Sequence, residues 1–307
     1  SNQAVYTLPA LPALPGVGTW FTDPTTGVRL LQMTDQTITD SIGSYSYWPC
    51  FNADNTYISI HIDKSPPYLA NEALYAFDAV AETISLVGGL FTSIGFDMSG
   101  NGVWSWTEPN VVYGRDINNT RLLYKMPLDT PTTRTYTLLK DFTGLLPGGN
   151  TGLFHLTVSA DNRYYCGYGT GGAGGWIVVW DRTLNQIKSR QFTGVDEAYI
   201  ERSGTYVIVS STTATNSKLW EFGPDTTKDF NTNMAHGCWH DKKHFANSAG
   251  PAWSTWDLTG PSPLTGSAVP SLTTDFSAAS ISPSITSLRK SGSAIAVRSS
   301  VCASALL

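Results

Sequence analysis

Three histidines lie close together between residues 236 and 244, in the densest arrangement of potential metal ligands along the chain. They are His236, His240 and His244, with Cys238 and Asp241 between them. Imidazoles four residues apart share one face of a helix and can bind a divalent metal there, with Ca²⁺, Mn²⁺ or Zn²⁺ as the candidates. On a strand, the same three side chains would lie on one face but too far apart for a single ion. The spacing therefore leaves two interpretations open, a metal site and a polar loop.

Other sequence patterns that carry chemistry are weaker. The chain has no GxSxG elbow, Walker loop, HExxH motif or dinucleotide fingerprint. The glycine-rich segment 167–175 lacks the Lys-Ser/Thr of a phosphate-binding loop, so we interpret it as a hairpin loop. Asp196 and Glu197 are adjacent carboxylates, but neighbours on a regular strand point to opposite faces, which makes them a poor glycosidase pair. The four cysteines show no CxxC spacing, which argues against a thiolate zinc site.

A repeated pattern indicates the elements that must position these residues. Five strand-like apolar runs end in a large apolar residue followed by an acid, and successive acids are 51, 52, 40 and 36 residues apart. The acids are Asp78, Asp129, Asp181, Glu221 and Asp257. Recurrence at about 40–50 residues is the length of one four-stranded propeller blade. The spacing, together with many aromatic and β-branched residues, predicts an all-β fold of the propeller type.

Short polar turns upstream of these acids recur with the same period. They lie at 52–55, 98–101, 159–162, 201–204 and, less clearly, 239–242. Asp, Asn, Ser and Gly tolerate the left-handed backbone that tight hairpins need. An apolar run follows each of the first four turns, including 103–106 after the second. Each unit is therefore predicted to contain a strand, a polar hairpin, a second strand, a loop and a strand that ends in an acid.

The two ends of the chain supply what a closed ring still requires. A partial last unit at 285–297 has no closing acid, while the strand-like run 27–35 belongs to no unit. An N-terminal strand that completes the last blade would close the ring and remove exposed edges. This count predicts a single propeller of six blades over 21–307, with seven as the alternative. An extended Pro-rich strap is predicted at 1–20.

The N-terminal part of the repeat resembles TolB-type (WD40-like) propeller repeats. The residues that carry the resemblance are 21–35, with Phe21-Thr22-Asp23, Thr26-Gly27 and Gln32-Met33-Thr34-Asp35, and the turn Trp48-Pro49-Cys50-Phe51-Asn52-Ala53-Asp54-Asn55. TolB-type repeats pair a similar strand with a tryptophan-serine-proline-aspartate-glycine turn, so Asn52–Asn55 departs from that pattern. In overall plan the chain is also similar to the oligogalacturonate-lyase and ulvan-lyase propellers.

The lyase resemblance implies β-elimination on a uronate sugar. This reaction needs a base, a cation that neutralises the carboxylate and a proton donor for the leaving oxygen. The candidate catalytic residues are His155, His236, His240, Tyr199 and Arg202, with Arg115 as a further cation. His155 opens a strand of the third unit, and the innermost strand of a blade lines the central channel. The residue types are thus available, and the sequence leaves open whether the chain is an enzyme.

Aromatic residues favour a binding role. The chain contains 10 Trp and 14 Tyr, and flat rings of this kind stack on the C–H faces of sugars. The candidate ligand-binding residues near predicted loops are Trp239, Trp106 and Tyr68. The leading prediction is a non-catalytic propeller that recognises a glycan or surface ligand on its loop face. The alternatives are a polysaccharide lyase that acts on a uronate-containing polymer and a structural or protein-scaffolding propeller.

Charge and hydropathy restrict the partners. Charged residues make up 14% of the chain, the net charge is −5, and no basic stripe is present, which argues against a nucleic-acid partner. No apolar run reaches about 18 residues, so no membrane span is predicted. We expect a carbohydrate or cell-surface ligand, with a protein partner also open. The expected location is extracellular, periplasmic or on a virion or cell surface.

Overall fold

The structure is a computed structural model. It describes residues 15–22, 27, 29–32, 40–43, 50–63, 71–89, 102–116, 118–128, 136–170, 172, 174–211, 217–232, 234, 237–239, 244–247, 254–268, 286–290 and 293–298. At 40–43, 60–63, 71–73, 88–89, 170, 237–239, 244–247, 255, 268, 286–290 and 293–298 it describes the backbone alone. Across these ranges no helix has the length and hydropathy of a membrane span.

The described residues form β-strands joined by turns, with one short 3-10 helix at Pro147–Gly149. Numbered along the chain, the first strands are β1 (Trp20–Thr22), β2 (Arg29–Gln32), β3 (Asp40–Gly43), β4 (Tyr57–Asp63), β5 (Asn71–Asp78), β6 (Thr83–Gly89), β7 (Gly102–Trp104), β8 (Val111–Arg115), β9 (Leu122–Pro127), β10 (Thr137–Asp141), β11 (Gly152–Val158) and β12 (Tyr164–Thr170). The remaining strands are β13 (Trp176–Asp181), β14 (Gln186–Gln191), β15 (Val195–Ile200), β16 (Tyr206–Ser211), β17 (Lys218–Glu221), β18 (Thr226–Asp229), β19 (Gly237–Trp239), β20 (His244–Asn247), β21 (Ser254–Asp257), β22 (Gly266–Ala268), β23 (Thr286–Lys290) and β24 (Ser293–Arg298).

These strands form six sheets of four strands each. Five sheets use consecutive antiparallel strands: sheet 1 is β3–β6, sheet 2 is β7–β10, sheet 3 is β11–β14, sheet 4 is β15–β18 and sheet 5 is β19–β22. The terminal sheet joins β1 and β2 to β24 and β23, and β2 pairs with β24 in parallel. The all-β propeller prediction is confirmed. The count of six blades and the closure of the ring stay predictions, with which these six sheets agree.

The repeated acids stabilise the turn between the third and fourth strands of their sheets. Asp181 ends β13, and its Oδ1 accepts the backbone N–H groups of Thr183 and Leu184 at 2.9 and 3.1 Å. Asp78 at the end of β5 and Asp257 at the end of β21 accept equivalent bonds. A carboxylate after the strand satisfies turn N–H groups that have no strand partner. In these three sheets the acid therefore marks the turn between the third and fourth strands.

The fourth residue after three of the acids adopts a left-handed backbone. Its φ is 54° at Glu82, 52° at Asn185 and 61° at Asp225. The last two also accept the indole N–H of the tryptophan that precedes the acid, Trp180 to Asn185 at 3.2 Å and Trp220 to Asp225 at 2.8 Å. The large apolar residue before the acid is thus part of the same turn.

Three of the predicted polar hairpins join the first and second strands of their sheets. The fourth residue of these turns has a positive φ, of 61° at Asn55, 56° at Asn162 and 70° at Gly204. In the third sheet, Ser159 Oγ accepts the backbone N–H of Tyr164 at 3.0 Å and closes the turn. Asn55 therefore adopts the left-handed conformation that glycine provides in the TolB-type turn, which explains why the departure from that pattern is tolerated.

The assignment within sheet 2 was wrong. The apolar run 103–106 was predicted to follow a hairpin, whereas β7 is the first strand of its sheet and the chain turns after it. Ser105 Oγ accepts the N–H groups of Thr107 and Glu108, and Pro109 has no N–H to extend a strand. Residues 98–101, most of 239–242 and Asp129 lie outside the described residues.

Neighbouring sheets pack through buried aromatic and aliphatic side chains. Between sheets 2 and 3, Tyr113 contacts Tyr165 edge to face at 5.2 Å, and both belong to one core cluster with Trp180. At the outer rim, lysines from the fourth strand of one sheet bind the last turn of the next. These contacts join Lys140 to Asn185 at 2.8 Å, Lys188 to the carbonyl of Gly223 at 2.6 Å, and Lys228 to the carbonyl of Gly260 at 2.7 Å. The sheets are therefore fixed relative to their neighbours.

Candidate functional site

The first strand of sheet 3 contains a β-bulge at its centre. The register of β11 with β12 shifts after Phe154, so that His155 and Leu156 lie opposite the single residue Gly167. His155 has a φ of 52°, in the left-handed region that L-residues rarely adopt. A Cβ atom at Gly167 would lie 2.9 Å from the carbonyl oxygen of Phe154. A side chain at position 167 would therefore crowd the backbone of the β11 bulge.

The first strand of sheet 4 contains a bulge at the matching register, in which Asp196 does not share the positive φ of His155. In β15, Asp196 and Glu197 lie opposite the single residue Ser210, and Asp196 has the position that His155 has in β11. Regular alternation along a strand would place Asp196 and Glu197 on opposite faces, but the bulge interrupts that alternation. Asp196 is exposed, whereas Glu197 is only 3% exposed.

Six side chains from four strands lie around these two bulges, and we refer to them as the β11–β15 cluster. They are Arg115, Phe154, His155, Tyr168, Asp196 and Glu197. The imidazole of His155 and the ring of Tyr168 have centroids 5.0 Å apart. The rings of Phe154 and Tyr168 stack at 6.0 Å with an interplanar angle of 25°. The cluster thus combines stacked aromatic rings with an imidazole and two carboxyl groups.

The charged side chains of the cluster influence the pKa of the Tyr168 hydroxyl. Burial raises the pKa of the Tyr168 hydroxyl, the carboxylates of Glu197 and Asp196 raise it further, and the Arg115 guanidinium opposes this. A carboxylate near a phenol disfavours the phenolate because the two negative charges repel. Tyr168 therefore stays protonated through the neutral range and can donate a hydrogen bond.

Access to the cluster differs between its members. Arg115 is only 6% exposed, and its guanidinium carbon lies 4.0 Å from the centre of the Phe154 ring. It lines a small, mainly apolar cavity between sheets 2 and 3 together with Phe142, Leu153, Leu156 and Tyr165. Phe154, His155 and Tyr168 are half-buried. A ligand therefore meets the rings, the imidazole and the Asp196 carboxylate, with the guanidinium behind Phe154.

Other candidates from the sequence lie away from this cluster. Tyr199 is 1% exposed and packs with Trp256 in the core between sheets 4 and 5. Arg202 lies 4.4 Å from the centre of the Trp106 ring, and the Trp106 indole donates to the carbonyl of Val158 at 3.2 Å. Both Trp106 and Arg202 belong to hairpins between first and second strands, whereas Arg115 ends a second strand and Asp196 lies near the start of a first strand. They are therefore at the opposite end of the sheets.

The remaining candidates are described in part or not at all. His236, His240 and Tyr68 lie outside the described residues, so their roles stay predictions. Of two others the backbone alone is described: His244 opens β20 opposite Asp257, and Trp239 ends β19 opposite Phe245. Within the described part of the chain, no three His, Cys, Asp or Glu side chains converge as metal ligands.

Sequence reasoning selected His155 and Arg115 but not Phe154, Tyr168 or Asp196. One signal for the site was present, because a glycine inside a strand pattern often marks a bulge, and Gly167 lies opposite the bulge of β11. The bulge of β15 has a serine at the matching position and left no comparable signal.

No family model and no curated protein matches the chain. Among solved structures, it is similar to an oligogalacturonate lyase in complex with manganese, with a TM-score of 0.56 and 12% identity over 84% of this chain and 71% of that one. An oligogalacturonate lyase from Vibrio parahaemolyticus gives a TM-score of 0.56 and 13% identity over 83% and 75%. TolB from Acinetobacter baumannii gives a TM-score of 0.40 and 18% identity over 64% and 48%. At these identities the likeness shows the fold, a β-propeller similar in plan to the oligogalacturonate lyases.

Proposed function

We propose that the protein recognises a glycan at the β11–β15 cluster, without catalysis and outside the cytoplasm or on a cell or virion surface. The observation that carries the proposal is the stacked pair Phe154 and Tyr168 beside the polar groups of His155 and Asp196. Sugars present C–H faces and hydroxyl groups together. Aromatic rings pack on the faces, while imidazole and carboxylate groups bind the hydroxyls.

The two bulges support this proposal because they fix the site before a ligand arrives. His155 is held in a left-handed conformation by the strand pairing on either side of it, and Asp196 has the same place in the neighbouring strand. Strained residues of this kind cluster at functional sites. A site that needs little reorganisation loses less conformational entropy on binding.

A polysaccharide lyase is the second candidate, favoured by the contact between His155 and Tyr168. In β-elimination a base removes the proton beside the uronate carboxylate, and an acid protonates the leaving oxygen. A neutral His155 could accept that proton, and the protonated Tyr168 could donate one. Arg115 is the cation in the cluster, and its burial against Phe154 separates it from a uronate at the surface.

A divalent metal would supply the neutralising charge for such a reaction when bound. One of the similar lyase structures is a manganese complex. The residues around the β11–β15 cluster do not fit such an ion, because no three His, Cys, Asp or Glu side chains in the described ranges converge. The metal site predicted at His236, His240 and His244 stays a proposal that chelation can test.

The proposed function can be tested by measuring binding to a panel of immobilised neutral, amino and uronate oligosaccharides. Tyr168→Ala removes one ring of the stacked pair and should weaken binding by about two- to tenfold, since an aromatic contact of this kind contributes roughly 0.5–1.5 kcal/mol. Trp106→Ala is the matched control at the opposite end of the sheets and should bind like the parent protein. Loss of binding in Trp106→Ala alone would move the site to that end.

The same panel of oligosaccharides distinguishes glycan recognition from lyase activity and from a scaffolding role. An increase in ultraviolet absorbance from an unsaturated uronate product, abolished in His155→Ala, would replace recognition by lyase activity. If a chelator also abolished the increase, a metal would be required. A folded protein that binds no glycan would leave the scaffolding interpretation.

A further inference from the structure

We infer that the β11–β15 cluster takes a glycan that carries protonated amino groups, as an amino sugar does, rather than an acidic glycan. This inference rests on the proposed function and specifies the chemistry of its ligand. It follows from the access of the charged side chains in the cluster. Asp196 is exposed at the bulge of β15, whereas Arg115 is buried behind Phe154. The charge that an approaching sugar meets first is therefore negative.

Glu197 is the second acidic residue of the cluster, beside Asp196. Glu197 follows Asp196 in the same bulge, and both lie close enough to the Tyr168 hydroxyl to raise its pKa, after the larger effect of burial. Arg115 acts on this hydroxyl in the opposite direction but less strongly than either carboxylate. At the Tyr168 hydroxyl the two carboxylates together thus outweigh the guanidinium.

An ammonium group suits these surroundings on two grounds. Its N–H groups can form charge-assisted hydrogen bonds with the Asp196 carboxylate, which are stronger than bonds between neutral groups. The exposed part of the Tyr168 ring attracts a cation through the ring quadrupole, whereas the Phe154 ring already packs against the Arg115 guanidinium and stacks on Tyr168. A uronate carboxylate in the same place would lie beside Asp196, and a route to the Arg115 guanidinium would require movement of the Phe154 ring.

The test is isothermal titration with three oligosaccharides of equal length, built from glucosamine, N-acetylglucosamine or galacturonate, at neutral pH, where most imidazoles are uncharged. Asp196→Asn removes the exposed carboxylate and keeps its shape. Asp229→Asn is the matched control, because it makes the same change in net charge at an exposed position of β18. Circular dichroism and thermal unfolding verify that both variants are folded.

The glucosamine oligomer should bind about tenfold or more tightly than the galacturonate oligomer. Asp196→Asn should weaken glucosamine binding by about tenfold, the expected effect of losing a hydrogen bond to a charged group. It should change binding of the acetylated oligomer less than about twofold, because that oligomer carries no ammonium group. Asp229→Asn should leave the binding of both within about twofold.

Other outcomes would overturn the inference in distinguishable ways. Galacturonate binding that equals or exceeds glucosamine binding, and is lost in Tyr168→Ala, would refute the cationic ligand and leave glycan recognition standing. Equal losses in Asp196→Asn and Asp229→Asn would show that the attraction is only to net charge. Failure of all three oligomers and of the wider panel to bind the folded protein would refute the proposed function and the inference together.

Discussion

The backbone of His155 provides a sharp test of the bulge in β11. Its φ of 52° is costly for a residue with a Cβ atom and nearly free of cost for glycine. We therefore expect that at this position glycine gives a more stable protein than alanine, although both substitutions remove the imidazole. In an ordinary strand the order is reversed, since glycine loses more conformational entropy on folding.

Two opposing effects determine the difference in the free energy of unfolding between His155→Gly and His155→Ala. Relief of the left-handed strain contributes about 1–2 kcal/mol in favour of glycine, and the greater flexibility of the unfolded glycine chain costs about 0.5–1 kcal/mol. The variant His155→Gly should thus be more stable than His155→Ala by roughly 0.5–1 kcal/mol. Loss of the ring contact with Tyr168 affects both variants equally and cancels in the comparison.

Urea unfolding of the two variants measures this difference directly. Ser189, an exposed residue of β14, serves as the control position, where Ser189→Ala should be the more stable of the Ala and Gly variants. If alanine is also the more stable residue at position 155, by the same margin as at position 189, then His155 does not have a strained backbone and the description of the bulge is wrong.

Three further predictions concern the stability of variants in the turns and in the contacts between neighbouring sheets. Gly175→Ala should destabilise the fold by more than about 2 kcal/mol in urea unfolding, because φ is 81° there and a Cβ would lie 2.0 Å from a carbonyl oxygen, whereas Gly174→Ala, with nothing within 4 Å, should change stability by less than about 0.5 kcal/mol. Equal effects would refute the close approach. Asn162→Gly, which keeps the left-handed backbone of this turn without strain, should cost about 2–3 kcal/mol by the same measurement, since three side-chain hydrogen bonds to the turn of sheet 2 are lost, and a change below about 0.5 kcal/mol would contradict this network. The indole of Trp220 holds the pKa of Asp225 below its usual value, so its stabilising contribution is present above the unfolded pKa of about 3.9 and is lost as the pH falls through the lower folded value. Stability should therefore decline less on acidification below about pH 4 in Asp225→Asn than in the parent, and identical pH profiles would argue against this bond.

The hairpins could be predicted from the sequence because their chemistry is local. Asp181 accepts N–H groups two and three residues further on, and Asn162 adopts its left-handed backbone within a four-residue turn. Each such turn can be recognised from a few neighbouring residue types. The position of the run 103–106 could not be predicted because first and second strands both bury apolar residues, as Val103 and Trp104 do in β7 and Val207 and Ile208 do in β16.

The candidate site could be predicted only in part because it depends on the register in which β11 pairs with β12 and β15 pairs with β16. The residue type singles out His155, and the repeat places it at the start of a strand of the third unit. The role of Asp196 and Glu197 depends on a bulge that is fixed by pairing with Ser210, which is more than ten residues away. Strand alternation is a local rule, and long-range pairing overrides it here.

Hydrogen–deuterium exchange with and without a bound glycan locates the ligand on the sheets. We expect slower exchange of backbone amides in β11, β12 and β15, where the cluster lies, and unchanged exchange in the hairpins that contain Trp106 and Arg202. Slower exchange in those hairpins, with β11 and β15 unaffected, would place the ligand at the opposite end of the sheets and refute glycan recognition at the β11–β15 cluster.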